Sequence, residues 1–437
     1  MADSSILTVS GFPEKDRADN DIDCDRSNAG SSFYAYWNIV CAICGIGMLG
    51  LPQALSRGGW GAVALIIATW WMATYCSIIL IRCLYSPRHQ ESRLTSFTAV
   101  AEDAFGKIGG YLLFFFQLWI VLGAPILIFV LCGSSMNELC RGTSAEIGQV
   151  PWVIVFCALV SIPYIFFKSM KDMGWTSVFG TLAIIVITII CVVMAGIDSP
   201  RVANTVTHNN IVWGGFPVAL STIALSFGAN VLYPNIEASM KRPRDWSYTV
   251  SGALATCTLL YIMVAVAGYY VYGDTVLNPM YYSIPDGVSK SLCIILMIIN
   301  ITVSAPIFLM SFTLECEEKM NVTVERWGRI GEFILRASFR ISTILFCGVI
   351  ACVVPYLDNL MALFGALGFC TTTFIFPIIC YWRLTGFRNK PIYELVWNFF
   401  ILFYGVVGLV FGSWFAVQDL IQAFQADTES AASTSMA

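Results

Sequence analysis

Runs of predominantly apolar residues, each of roughly 17 to 25 residues and so long enough to cross a bilayer as a helix, recur along this chain. They begin near Phe33, Gly61, Tyr111, Pro151, Thr176, Gly215, Thr249, Val288, Leu335, Asn359 and Val396. Hydrocarbon offers no partner to a backbone amide, so runs of this length are viable as helices whose hydrogen bonds close within each segment. Composition agrees: 57% of the 437 residues are apolar and 12% are charged, against about 25% charged in a soluble domain. The expectation is an all-α polytopic membrane protein of about 11 transmembrane helices, with no lengthy soluble domain between them.

The first run is an odd spanning helix. From Gly45 to Pro52 it reads Gly-Ile-Gly-Met-Leu-Gly-Leu-Pro, and glycine costs about 1 kcal/mol and proline about 3 against alanine in a helix interior. The helix is expected to break there, and a break at membrane depth is tolerated only where the freed backbone is buried or lines a wet cavity. The sixth run has a similar weak point, Ser226-Phe227-Gly228-Ala229-Asn230-Val231-Leu232-Tyr233-Pro234. Both fall in the first span of a five-helix unit, residues 33–197 and 213–383. Five is odd, so the units face opposite ways across the membrane. An inverted repeat with paired interrupted helices is the sequence pointer to a transporter's solute site, where half-helix N-termini meet an anionic group and freed carbonyls meet a cation. For Gly45, Gly47 and Gly50 taken singly, close helix packing is the alternative; the matching second interruption favours an unwound binding segment.

Residues 396–421 form a last span outside the repeat. Residues 1–32, acidic and poor in large apolar side chains, read as a disordered tail, and residues 422–437 as a short tail across the membrane from it. With the N-terminus in the cytosol, all but Arg57, Arg141, Arg201 and Lys290 of the 24 basic residues lie on the cytosolic side, as the positive-inside rule requires. The first apolar run leads straight into a full span, so no cleavable signal peptide is expected. Most of the 16 cysteines sit in or beside apolar runs and read as packing residues, while Cys140 in an outward loop has no evident disulfide partner. Asn300-Ile301-Thr302 and Asn321-Val322-Thr323 fall in a span and in a cytosolic loop, so neither is expected to carry a glycan.

An enzyme is disfavoured. The histidines, His89 and His208, lie in polar loops, and no metal-binding helix, nucleophile turn or nucleotide loop is present. No metal or cofactor is expected beyond a coupling ion. Several polar residues carry two readings. Asn38 bonds a neighbouring helix or touches a ligand; Thr302 and Ser304 offer hydroxyls to an ion or bond back to their own helix; Phe227 and Tyr233 close over a solute or merely pack. Glu237 carries a proton or forms a gate with a nearby base, or it is an interfacial carboxylate beside Lys241 and Arg242. No acid lies in mid-span, so a coupled proton must be carried near a helix break or through water. Gln117, at membrane depth in the third run, should face the protein interior. Ser96 and Gly106 read as the N-cap and C′ residue of a short helix before that run.

Trp37-Asn38 leading into Gly45–Pro52, Gly58-Gly59-Trp60, the stretch Phe97 to Gly106, and Tyr233-Pro234-Asn235-Ile236-Glu237-Ala238-Ser239-Met240 with Pro243 together resemble the amino acid/auxin permease family. That family lies within the group sharing the LeuT-type 5+5 inverted repeat, here with one extra helix, and the likeness is nearest to its vesicular and vacuolar branch. The resemblance covers nearly the whole chain after residue 32. It implies secondary active transport of a small neutral amino acid by alternating access, proton-driven in vesicular and vacuolar members and sodium-driven in some plasma-membrane relatives. It implies that the backbone of Gly45, Ile46, Gly47 and Met48 holds the substrate's carboxylate and amine, with Ser226, Phe227, Gly228 and Ala229 as the other wall. Relatives often carry a second asparagine three residues after Asn38, where this chain has Cys41. That departure tells against a sodium site on the first span and favours H+ as coupling ion, although Thr302 and Ser304 keep sodium open. The expected home is a vesicular, vacuolar or lysosomal membrane, and the expected partners are the amino acid and the lipid bilayer, with no nucleic acid. A non-transporting amino acid sensor is the competing reading.

Overall fold

The computed structural model describes residues 30–85, 93–166, 174–202, 206–320, 322, 324–354, 356–387 and 390–436. The expectations for residues 1–29, His89, Asn321 and Thr323 lie outside the described residues.

Fifteen α-helices follow in order: α1 (Ser32–Ile43), α2 (Ile46–Gly58), α3 (Gly61–Leu84), α4 (Phe97–Leu139), α5 (Gln149–Phe166), α6 (Gly174–Val202), α7 (Phe216–Phe227), α8 (Tyr233–Ala238), α9 (Trp246–Tyr272), α10 (Val288–Lys319), α11 (Val324–Val353), α12 (Leu357–Phe364), α13 (Phe376–Thr385), α14 (Ile392–Val407) and α15 (Ser413–Met436). A π-helical stretch, Gly365–Ile375, joins α12 to α13, and another, Gly408–Gly412, joins α14 to α15. Among the described residues 8 helices are long and apolar enough to cross a membrane, or 9 when the bent α1/α2 pair is one span; α5 and α7, at the fourth and sixth expected runs, are shorter apolar helices. Large apolar side chains such as Trp71, Phe179 and Phe403 stand exposed on the outside of the bundle, where lipid replaces water.

Local signals are obeyed where they concern backbone geometry. The Ser96 hydroxyl accepts the Ala99 amide at 3.2 Å, and Gly106, at φ 73°, separates the short leading helix of α4 from its span. The last helix runs on to Met436, past the expected end of the span near residue 421; residues 422–436 contain neither glycine nor proline to stop it. Each cysteine among the described residues is a free thiol.

The broken pair α1/α2 sits at the centre, packed on α6, α7 and α9, while α10 lies against both α4 and α6. The segment before α1 is pinned at the end of α8: the Gly30 amide donates to Ser239 O and the Lys241 amide to Gly30 O, both at 2.8 Å. The Ser32 hydroxyl adds a bond to Asp245 Oδ2 at 3.0 Å. This end of the bundle is the N-terminal face.

Candidate functional site

The first break occupies two residues. α1 ends at Ile43, the Cys44 amide donates to Val40 O at 2.8 Å, Gly45 takes φ −83° and ψ −120°, and α2 restarts at Ile46, its axis turned by 46°. The expected unwinding from Gly45 to Pro52 is corrected to Cys44–Gly45, because Ile46, Gly47, Met48, Gly50 and Pro52 all lie within α2. Gly50 is a packing glycine, since a Cβ there would fall 2.9 Å from Met361 Cε. Pro52 is housed by Gly268 of α9, where a Cβ would fall 2.7 Å from the Pro52 Cβ.

Gly47 brings the two broken helices together: a Cβ on it would fall 2.5 Å from Ser226 Oγ and 2.7 Å from Ser226 Cα. Gly45 is the opposite case, with nothing within 4 Å of the position a Cβ would take. In the second break, α7 ends at Phe227, Gly228 is extended (ψ 90°), and helix resumes at Tyr233.

Between the breaks lies a small cavity of about 40 Å³, lined among others by Gly45, Gly47, Gly228, Ser304, Phe308 and Phe369. Among the described residues its lining includes one side-chain hydroxyl, from Ser304, and no charged side chain. Polar contacts to a solute therefore fall to the backbone. The first amides of α2, at Ile46, Gly47 and Met48, have no carbonyl one turn earlier to bond, and they form the positive end of a half-helix. The carbonyls ending α1 and α7 supply the negative counterpart. An anion and a cation one short molecule apart are what this arrangement can hold.

Tyr261 of α9 ties the breaks together, its hydroxyl lying 2.8 Å from Ile43 O and 2.5 Å from Ser226 O. One proton is shared by two freed carbonyls, one from each broken helix. Sequence reasoning missed it, although a buried tyrosine hydroxyl at membrane depth needs a partner and mid-span backbone is where one is free. Phe369 was also missed; its ring covers Gly228, where a Cβ would fall 1.7 Å from Cδ1. Asn230 fastens the second break, donating to Thr373 O at 3.1 Å and accepting from the Ser77 hydroxyl at 3.3 Å.

The other candidates disperse. Ser304 lines the cavity and its hydroxyl reaches Cys41 O at 3.4 Å and Asn300 O at 3.0 Å. Thr302 instead bonds back to Ile298 O at 2.7 Å and does not line the cavity. Ser226 bonds back to Thr222 O at 3.0 Å, and Phe227 packs edge-on against Tyr261 with ring centres 5.1 Å apart. Tyr233 packs on Trp246 at 5.3 Å. The Ala229 carbonyl accepts the Leu232 amide at 2.8 Å, and the Met48 sulfur takes the Thr188 hydroxyl at 3.7 Å. Asn38 is buried on α1 away from the cavity, and its Oδ1 has no hydrogen-bond partner among the described residues.

Both ends of the path are closed. At the N-terminal face Glu237 is fully buried and meets Arg93: Nη2 lies at 2.6 Å, and Nε donates at 2.8 Å. The Tyr85 hydroxyl donates to the other carboxylate oxygen at 2.6 Å, and Arg93 Nη2 donates to Pro234 O at 2.7 Å. The nearby base expected for Glu237 is thus Arg93, from the loop before α4. At the opposite face Asp358 accepts from Gln53 Nε2 at 2.7 Å and Asn278 Nδ2 at 2.6 Å, and Arg57 pairs with Asp419 at 2.6 Å.

The backbone arrangement is shared with solved transporters. Mhp1, a nucleobase-cation-symport-1 family transporter in a closed conformation, matches with a TM-score of 0.57 at 13% identity, over 91% of this chain and 94% of that one. A Na+-coupled sialic acid symporter matches with a TM-score of 0.55 at 14% identity, over 91% of each chain. These fix the fold as the LeuT type. By sequence, the amino acid transporter AVT1J of Arabidopsis thaliana is 26% identical over 395 residues, 88% of this chain and 90% of the relative. The vesicular inhibitory amino acid transporter of Rattus norvegicus is 23% identical over 415 residues, 91% of this chain and 78% of the relative. These relatives are named as transporters, not enzymes. The model of the family described as transmembrane amino acid transporter protein matches residues 28–418, and with that match this multi-pass membrane protein belongs to the amino acid/auxin permease family of amino acid transporters.

Proposed function

We propose that the chain is a proton-coupled secondary transporter that moves a small neutral amino acid by alternating access across an internal, vesicular or vacuolar membrane, its N-terminal face in the cytosol. The observation that carries the reading is the cavity at the junction of the two breaks, where backbone supplies all charge complementarity and the walls are otherwise apolar. The substrate carboxylate rests on the first amides of α2, and its ammonium on the carbonyls ending α1 and α7. Ala124, Leu127 and Ile128 of α4 face a side chain that is small and uncharged.

In this scheme the Arg93–Glu237 pair is the cytosolic gate and must separate for release, while the amides around Asp358 must let go for entry from the other side. The name of the vesicular relative favours an internal membrane, and the basic-residue distribution supports a cytosolic N-terminus. A sodium-coupled alternative would draw on the Ser304 hydroxyl beside Cys41 O, 3.4 Å apart, without Thr302.

The test is uptake of a labelled amino acid panel into proteoliposomes with an imposed pH gradient and no sodium, for wild type and Gly47→Val. Uptake that needs the gradient and is lost in the variant is expected. Uptake only with sodium would overturn the proton mechanism, and binding without flux under either gradient would turn the reading to a sensor.

A further inference from the structure

A second chamber, of about 40 Å³ like the first, lies beyond the central cavity toward the N-terminal face. It is built on the same two helices. Gln117 precedes the cavity-lining Ala124 by two turns of α4, and Ser311 follows the cavity-lining Ser304 by two turns of α10, which at 1.5 Å per residue places the chamber roughly 10 Å further along both. Its other wall is the second half of the broken sixth span, Val231, Pro234 and Asn235. Its floor is the closure itself: the Pro234 carbonyl receives Arg93 at 2.7 Å, and Thr95 and Ser96 come two and three residues after Arg93.

The lining differs in kind from that of the central cavity. Here Gln117, Asn235, Ser311, Ser96 and Glu315 contribute polar atoms, and among the described residues no basic side chain does. Asn235 Nδ2 donates to Ser311 Oγ at 2.8 Å, and Glu315 accepts the Thr98 hydroxyl. Gln117 is 3% exposed, and its Oε1 has no hydrogen-bond partner among the described residues. A buried amide oxygen without a donor is uncommon, and here it belongs to a side chain that lines an enclosed space.

We propose that this chamber is a second binding station for the transported amino acid, occupied between the central cavity and the cytosol, in which Gln117 Oε1 receives the ammonium group. The inference rests on the transport reading above. It gives release two steps: the solute first leaves the dry cavity for a polar one, and only then does the Arg93–Glu237 pair part. An amide oxygen accepts N–H and has nothing to offer a carboxylate, so the amine leads and the carboxylate trails.

The experiment is equilibrium binding of labelled L-alanine to the purified full-length protein in sodium-free buffer, with wild type, Gln117→Leu and Ser311→Ala. Two molecules per wild-type chain are expected, falling to one in Gln117→Leu, with the affinity of the remaining site unchanged. Ser311→Ala, a smaller change that reads the same chamber if Gln117→Leu fails to fold, is expected to weaken the second site severalfold. One alanine per wild-type chain, unchanged in the variants, would overturn the station and leave the transport reading standing. Displacement of alanine from the second site alone by sodium or potassium chloride would give the chamber to an inorganic cation and overturn the proposal. No alanine bound by wild type would overturn the small-neutral-substrate reading and the station with it.

Discussion

The two ends of the solute path are closed by different chemistry. At the N-terminal face a full ion pair, Arg93–Glu237, has side chains 4% and 0% exposed. At the opposite face the ion pair, Arg57–Asp419, is about a third exposed, and the carboxylate of Asp358 is held by two neutral amides, Gln53 and Asn278, in half-buried surroundings. A buried pair is robust only while both partners remain, because removal of one leaves an uncompensated charge at a cost of about 3–5 kcal/mol. Hydrogen bonds from neutral amides to a carboxylate contribute about 1.5–3 kcal/mol each, and at a half-exposed site water can replace them. The Asp358 end should therefore open more readily, so the unliganded protein should expose its site more often to that side.

The largest expected effect is at the charged end. Glu237→Ala, with Arg93 kept, should destabilise the protein by about 3–5 kcal/mol, while the double change Arg93→Met with Glu237→Leu should recover most of that loss. Thermal unfolding in detergent reads both, and a single variant that melts like wild type would remove the contrast between the ends. Asp358→Asn comes next. It should weaken its closure by no more than about 1.5–3 kcal/mol and speed solute exchange from that face alone; an equal gain from both faces would contradict the assignment.

Tyr261→Phe removes the hydroxyl shared by Ile43 O and Ser226 O, and should cost about 1 kcal/mol with a fall in solute affinity of about tenfold or less. Because it lies between the ends, exchange from both faces should change together. The smallest effect concerns a second buried pair at the N-terminal face, Lys390 with Glu394 at 3.5 Å. Burial pushes the Lys390 ammonium down to about 8, from an ordinary value of about 10.4. Between those values the unfolded chain holds a proton that the folded one has released, so stability should rise with pH across that window, the penalty being fully present below it. A melting temperature that climbs from pH 8 to 10 in wild type, and less steeply in Lys390→Met, is the expected reading.

What the sequence made legible follows the same division between local and distant causes. The apolar runs placed the helices, and glycine beside proline placed both weak points, because spanning length and helix breaking are local properties. The extent of the first break was not legible. Pro52 stays helical because Gly268, far along the chain, makes room for its ring. The Glu237 gate could be suspected from its position, but its partner Arg93 comes from a loop 144 residues away. Tyr261 and Phe369 matter only through contacts between helices, and the π-helical stretch that carries Phe369 leaves no period in an apolar run. Thr302 and Ser304 looked equivalent in sequence, yet two residues on a helix point to different sides, and only Ser304 lines the cavity.

The central claim is that the solute sits where the first helix breaks, and Gly45 tests it most directly because a methyl group there meets nothing within 4 Å. The measurement is uptake of glycine, alanine and valine by proteoliposomes of wild type and Gly45→Ala, matched for folded protein. The added methyl group should take up solute space, so valine uptake should fall about tenfold relative to glycine, the equivalent of 1.4 kcal/mol. An unchanged ratio across the three amino acids would place the solute elsewhere and contradict the account.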